Sequence, residues 1–103
     1  MEMLYRQGDV LLMKVKALPD HVQAVEPDAR GVVLAEGEVT GHAHTMSAET
    51  TTAYRALGMD WIVVDTDTDL THQEHDTLVI APGVWRVVHQ REYDAGKVRR
   101  VID

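Results

Sequence analysis

Apolar positions along this chain recur with a period of two rather than 3.6, the signature of strands with one buried face. Residues 11–16 read Leu-Leu-Met-Lys-Val-Lys, with Leu11, Met13 and Val15 on one face and Lys14 and Lys16 ending the other. Ile62, Val64 and Leu70 fall on one face, and Asp65, Asp67 and Asp69 on the opposite one. Residues 77–81 form a short apolar run, Thr-Leu-Val-Ile-Ala, that stops at Pro82-Gly83, a turn signal. Residues 84–90 then read as its hairpin partner, and residues 97–101 as a last strand. Helical signals are few. Residues 19–25 could make one short turn of helix, and in residues 48–57 the threonines at 50, 51 and 52 turn the second half toward strand. Val, Ile and Thr together fill 27 of the 103 positions, which favours strand throughout. The pattern predicts a small antiparallel all-β domain spanning residues 1–103, a β-barrel or sandwich of seven or eight short strands with at most one short helix.

Composition changes this picture little. Hydrophobic residues make up 45% and charged residues 26%, so the chain is neither a disordered tail nor a low-complexity linker. No apolar run approaches a membrane-spanning length, and the first ten residues, with Glu2, Arg6 and Asp9, lack the apolar stretch of a secretory signal. With no cysteine there is no disulfide, no thiolate metal site and no cysteine nucleophile, and a cytoplasmic location is expected.

Charge does add something. The net charge is −7, and residues 35–80 hold nine acids against one base. An acidic middle favours cations over phosphate. The basic end, Arg86, Arg91, Lys97, Arg99 and Arg100, lacks interleaved aromatics and reads as a solvated face rather than a nucleic-acid surface.

The candidate chemistry lies in six histidines, four of them in two tight pairs. His42 and His44 stand two apart, so on a strand both imidazoles point to one face and can converge on one ion. In Thr71-His72-Gln73-Glu74-His75-Asp76 an extended chain puts His72 and Glu74 on one face, whereas a turn brings His72 and His75 inward together. His42, His44, His72 and His75 are therefore the candidate metal ligands, and Glu74 is the candidate third ligand, orienting partner or catalytic base. Imidazole with carboxylate and no sulfur suits Zn, Fe, Mn, Ni or Cu. His21 reads as a surface loop residue. His89 shares a face with Trp85 and Val87 and reads as a half-buried polar residue or a further ligand.

Two patterns carry less than they suggest. Asp65, Asp67 and Asp69 imitate the start of a calcium loop, but Leu70 stands where the sharp turn needs glycine. Ser47 lies in no nucleophile elbow, and no phosphate-binding glycine loop is present.

Gly37, His42, His44 and Glu49 resemble the first cupin motif, and residues 77–85, with their apolar run into Pro82-Gly83, resemble the second. The spacing after Gly37 is one residue short, and Trp85-Arg86 stands where the second motif has histidine. Residues 8–12, 31–34 and 37–39 resemble the small barrel of the co-chaperonins, which implies no metal. From GEVTGHAH through THQEH to HQREY, the chain is also similar to a small uncharacterised β-protein family of bacteria or phages, which implies no reaction.

The sequence thus supports a divalent-metal-binding small β-barrel with a cupin-like histidine cluster, its enzymatic status open. The alternative is a non-enzymatic interaction or assembly module with surface histidines, for which an acidic homo-oligomer is expected. A pH sensor built on clustered histidines is a third reading.

Overall fold

The period-two runs become strands in a computed structural model that describes residues 3–90. In chain order these are β1 (Leu4–Gln7), β2 (Val10–Val15), β3 (Gln23–Val25), β4 (Val32–Glu36), β5 (Ala43–Met46), β6 (Thr51–Ala56), β7 (Met59–Val64), β8 (Thr68–Leu70), β9 (Leu78–Ile80) and β10 (Gly83–His89). Six of them form one antiparallel sheet in the order β1-β2-β10-β7-β6-β3, while β4 pairs with β5 and β8 with β9. The fold is all-β, as the alternation predicts. Among the described residues there are ten short strands rather than seven or eight, no helical element, and an open six-stranded sheet rather than a closed barrel.

Side-chain size decides the centre of that sheet. Strand β10 carries Trp85 and Val87 on one face and Val88 on the other, all buried, and needs neighbours on both edges. It finds them in β2 and β7. The hairpin expected between residues 77–81 and 84–90 therefore does not form: β9 pairs with β8 instead. Pro82 supplies no N–H for a ladder, and the Trp85 Nε1–H donates to the Ala81 carbonyl at 3.0 Å, which pins the corner where the chain changes sheets.

The core joins the large sheet to the two small ones. Leu12, Ile62, Val64, Trp85 and Val87 pack with Val32, Met46, Leu70 and Ile80 in one buried cluster. Ile62, Val64 and Leu70 are buried on one side as the pattern predicts, and Asp65, Asp67 and Asp69 are exposed. They belong to two strands, however, with a turn at residues 65–67 between them. A two-residue turn at Leu57-Gly58, both with positive φ, closes β6 onto β7. That turn twists in the same sense as its strands. Residues 23–25 are strand rather than helix. The strand expected over residues 97–101, like Arg91, Lys97, Arg99 and Arg100, lies outside the described residues. Among the described residues no helix is long and apolar enough to cross a membrane.

Candidate functional site

One isolated bridge builds the site. Thr45 on β5 pairs antiparallel with Thr71, and their backbones exchange two hydrogen bonds of 3.0 Å. Extending that register by one residue puts His44 opposite His72; by three, it puts His42 opposite Glu74. Both contacts form. The His44 and His72 rings lie 4.3 Å apart between centroids, and His42 Nδ1 is 3.6 Å from Glu74 Oε1. Between them, the Ala43 N–H donates to Gln73 Oε1 at 2.9 Å. Beyond His72 the chain bends, and His75 returns to lie 4.5 Å from His72 and 5.9 Å from His44, again between ring centroids. Both orientations considered for residues 71–76 are therefore used, the extended one by Glu74 and the turned one by His75.

A third segment, the β1–β2 turn, completes the arrangement, and sequence reasoning missed it. Gln7 is buried, and its side-chain amide donates to the Leu70 carbonyl at 2.8 Å and the Asp76 carbonyl at 2.9 Å, tying together the two ends of the histidine loop. Its remaining oxygen accepts from His44 Nδ1 at 2.7 Å. Gly8 takes φ of +59°, which favours glycine, and a Cβ there would lie 2.5 Å from His75 Nε2, so any side chain would push the exposed His75 ring aside. Asp9 brings Oδ1 to 3.4 Å from His44 Nε2. Its backbone carbonyl accepts from Gln90 N–H at 2.7 Å, which continues the β2–β10 ladder. The available signal was a glutamine set directly before a Gly-Asp turn and three apolar residues.

Burial grades across the cluster. His44 is 4% exposed, His42, His72 and Asp9 are half-buried, and Glu74 and His75 are exposed. Loss of solvent, then the neighbouring His72 charge, pushes the His44 pKa down to about 4, against the pull of the Asp9 carboxylate. His44 is therefore neutral at pH 7. His42 Nδ1 is buried and makes no hydrogen bond. Although the rings converge, no three His, Asp or Glu side chains among the described residues form a group arranged to hold a metal ion.

The remaining candidates lie elsewhere. His21 is exposed in a loop with φ of 63°, as expected of a surface residue. His89 Nε2 is hydrogen-bonded to the Leu34 carbonyl at 2.9 Å, a structural tie across the fold. Glu49 is exposed in the turn after β5, where its N–H donates to Ser47 Oγ. Beside the Thr45–Thr71 pair, Thr45, Thr50, Asp67, Thr68, Asp69 and Thr71 line an open groove of about 430 Å³.

Residues 6–90 match a family described as a domain of unknown function, DUF8820. The chain belongs to that family. The match begins one residue before Gln7 and ends at Gln90, so the three segments that carry Gln7, His44 and His72 lie within it. No curated protein matches the chain, and no solved structure matches it.

Proposed function

We propose that this DUF8820 chain binds a divalent metal ion through the imidazoles of His42, His44, His72 and His75, with Glu74 at the outer side. The observation that carries the reading is the register running from the Thr45–Thr71 pair, which gathers histidines 28 residues apart in sequence onto one face. Nitrogen ligands 2.0–2.1 Å from a tetrahedral ion hold their ring centroids about 5 Å apart. The centroid separations here run from 4.3 to 5.9 Å and bracket that value. Since no three of these side chains are arranged for an ion as they stand, binding calls for the rings to move. His44, neutral at pH 7, is already in the protonation state a ligand needs.

Imidazole and carboxylate donors without sulfur suit Zn, Fe, Mn, Ni or Cu. We carry the cupin likeness only as far as the His42-x-His44 pair at the start of β5, since the carboxylates near histidine here are Asp9 and Glu74. Glu74 is exposed and positioned to accept a proton beside His42, but no reaction is assigned to it. The cysteine-free composition favours the cytoplasm.

Elemental analysis of untagged protein purified without chelator tests the reading. The expected result is about one equivalent of a first-row metal, lost in His42→Ala and in His44→Ala and kept in His21→Ala. Folded protein that carries no metal and takes up no added zinc, iron or manganese would overturn it. The interaction module would then be the better account of the fold.

A further inference from the structure

The groove beside the Thr45–Thr71 pair takes no part in the histidine site, and its hydroxyls have a direction. It encloses about 430 Å³, inside the range of small-molecule sites, roughly 300–1,000 Å³. Each threonine hydroxyl has one hydrogen to give. Thr68 is 5% exposed and spends its hydrogen on the Thr66 carbonyl at 2.7 Å. The 2.6 Å contact between Thr50 Oγ1 and Thr68 Oγ1 is therefore donated by Thr50. At the Thr45–Thr71 pair a further hydrogen is held between oxygens 3.0 Å apart. The hydrogens are thus mostly turned inward, and the groove is left with lone pairs.

Charge agrees with direction. Asp67 and Asp69 add carboxylates, which only accept, and no Lys, Arg or His lines the groove. Within residues 35–80 the one base is Arg55, and Asp60 holds it at 2.8 Å. The fitting ligand is therefore a cation that brings its own hydrogens. A bare metal ion does not match, because among the described residues no three carboxylate or imidazole groups gather to hold one. An ammonium group does, since it has N–H donors and no acceptor.

Spacing adds a length. Thr68 and Thr71, one from each hydroxyl pair, are three residues apart in extended chain, about 10 Å. We propose that this groove binds a linear diamine or polyamine, with an ammonium group at each hydroxyl pair and Asp67 and Asp69 offsetting the charge. The Asp65, Asp67 and Asp69 row, which only imitates a calcium loop, then has a ligand of a different kind.

Two probes separate hydrogen bonding from charge. Hexamethylenediamine and hexamethonium carry the same chain and the same charge, but only the first has N–H groups. Each is titrated into the full chain and followed by ¹⁵N amide shifts. With the diamine we expect shifts concentrated at Thr45, Thr50, Asp69 and Thr71, and affinity at least tenfold above that of hexamethonium. Asp67→Asn with Asp69→Asn should lower diamine affinity at least tenfold, with the remaining amide shifts showing an intact fold. His42→Ala should leave it within about twofold, which keeps this site separate from the metal reading. Equal affinity for the two probes would overturn the hydroxyl argument. Shifts spread evenly over exposed acids such as Asp20 and Glu38, or full displacement by equimolar Mg²⁺, would reduce the binding to counterion condensation and overturn the site.

Discussion

The two faces of the short β5–β8 junction share one backbone and differ in everything else. On one face Thr45 and Thr71 meet hydroxyl to hydroxyl at 3.0 Å, beside an open groove. On the other, displaced by one residue along each strand, His44 and His72 meet ring to ring. The strand period of two makes the alternation, but it does not make the chemistry. What differs is the cover. The histidine face is closed by the β1–β2 turn, whose Gln7 and Asp9 address both nitrogens of His44, whereas the threonine face stays open to solvent. A hydroxyl pair in water is electrically quiet. A desolvated imidazole between an amide oxygen and a carboxylate has a fixed tautomer and a displaced pKa.

Removing the cover has the largest expected effect. Gln7→Met keeps the shape of the side chain but strands the Leu70 and Asp76 carbonyls and the His44 Nδ1–H. At about 1–3 kcal/mol for each buried group left unpaired, a loss of roughly 3–4 kcal/mol is expected in denaturant unfolding. A loss below about 1 kcal/mol would show that the turn does not hold the face together.

Acid acts on the same face. The folded His44 pKa, about 4, lies below the ordinary 6.5. Between those values the unfolded chain binds a proton that the folded chain does not, so stability falls as the pH drops through that window. It is complete above about pH 6.5, and the full penalty of up to about 3 kcal/mol is reached below pH 4. Unfolding free energies from pH 7.5 to 4.5 should show this slope, and His44→Gln should flatten it. An equal slope in that variant would assign the acid sensitivity to other groups.

Gly8→Ala is expected to cost about 1–2 kcal/mol for the left-handed backbone alone, with His75 displaced from the turn by the new Cβ. The chemical shifts of His75 should move more than those of His42. Movement confined to His42 would break the proposed packing.

The smallest effect belongs to the other face. Thr45→Val with Thr71→Val removes both hydroxyls together, and since replacing both partners of a hydrogen bond is nearly neutral, less than about 0.5 kcal/mol and no change in metal affinity are expected. A large loss in this double variant would mean that the two faces are coupled.

Much of the local structure was legible in the sequence. The buried row of Ile62, Val64 and Leu70 and the exposed aspartates between them follow from alternation alone. So does the shared face of His42 and His44. The strand expected over residues 11–16 forms as Val10–Val15, but its core face is Val10 and Leu12 rather than Leu11, Met13 and Val15. Pairing was another matter. Pro82-Gly83 looks like a hairpin turn, but the burial demanded by Trp85, Val87 and Val88 draws β10 between β2 and β7 instead.

By itself, then, the sequence determined an all-β chain, the alternation along residues 62–70, and that four histidines lie in two pairs able to meet. These are properties of neighbours along the chain, set by a period of two and by local turn chemistry. The tertiary structure decided which strands pair, that Thr45 meets Thr71, and that Gln7, Gly8 and Asp9 form the floor of the site. Gln7 reaches its partners across 37, 63 and 69 residues of sequence. No local pattern encodes contacts of that span, because they depend on the burial of the whole core. The tautomer of His44 depends on them in turn, since the Gln7 oxygen can only accept and so leaves the proton on Nδ1.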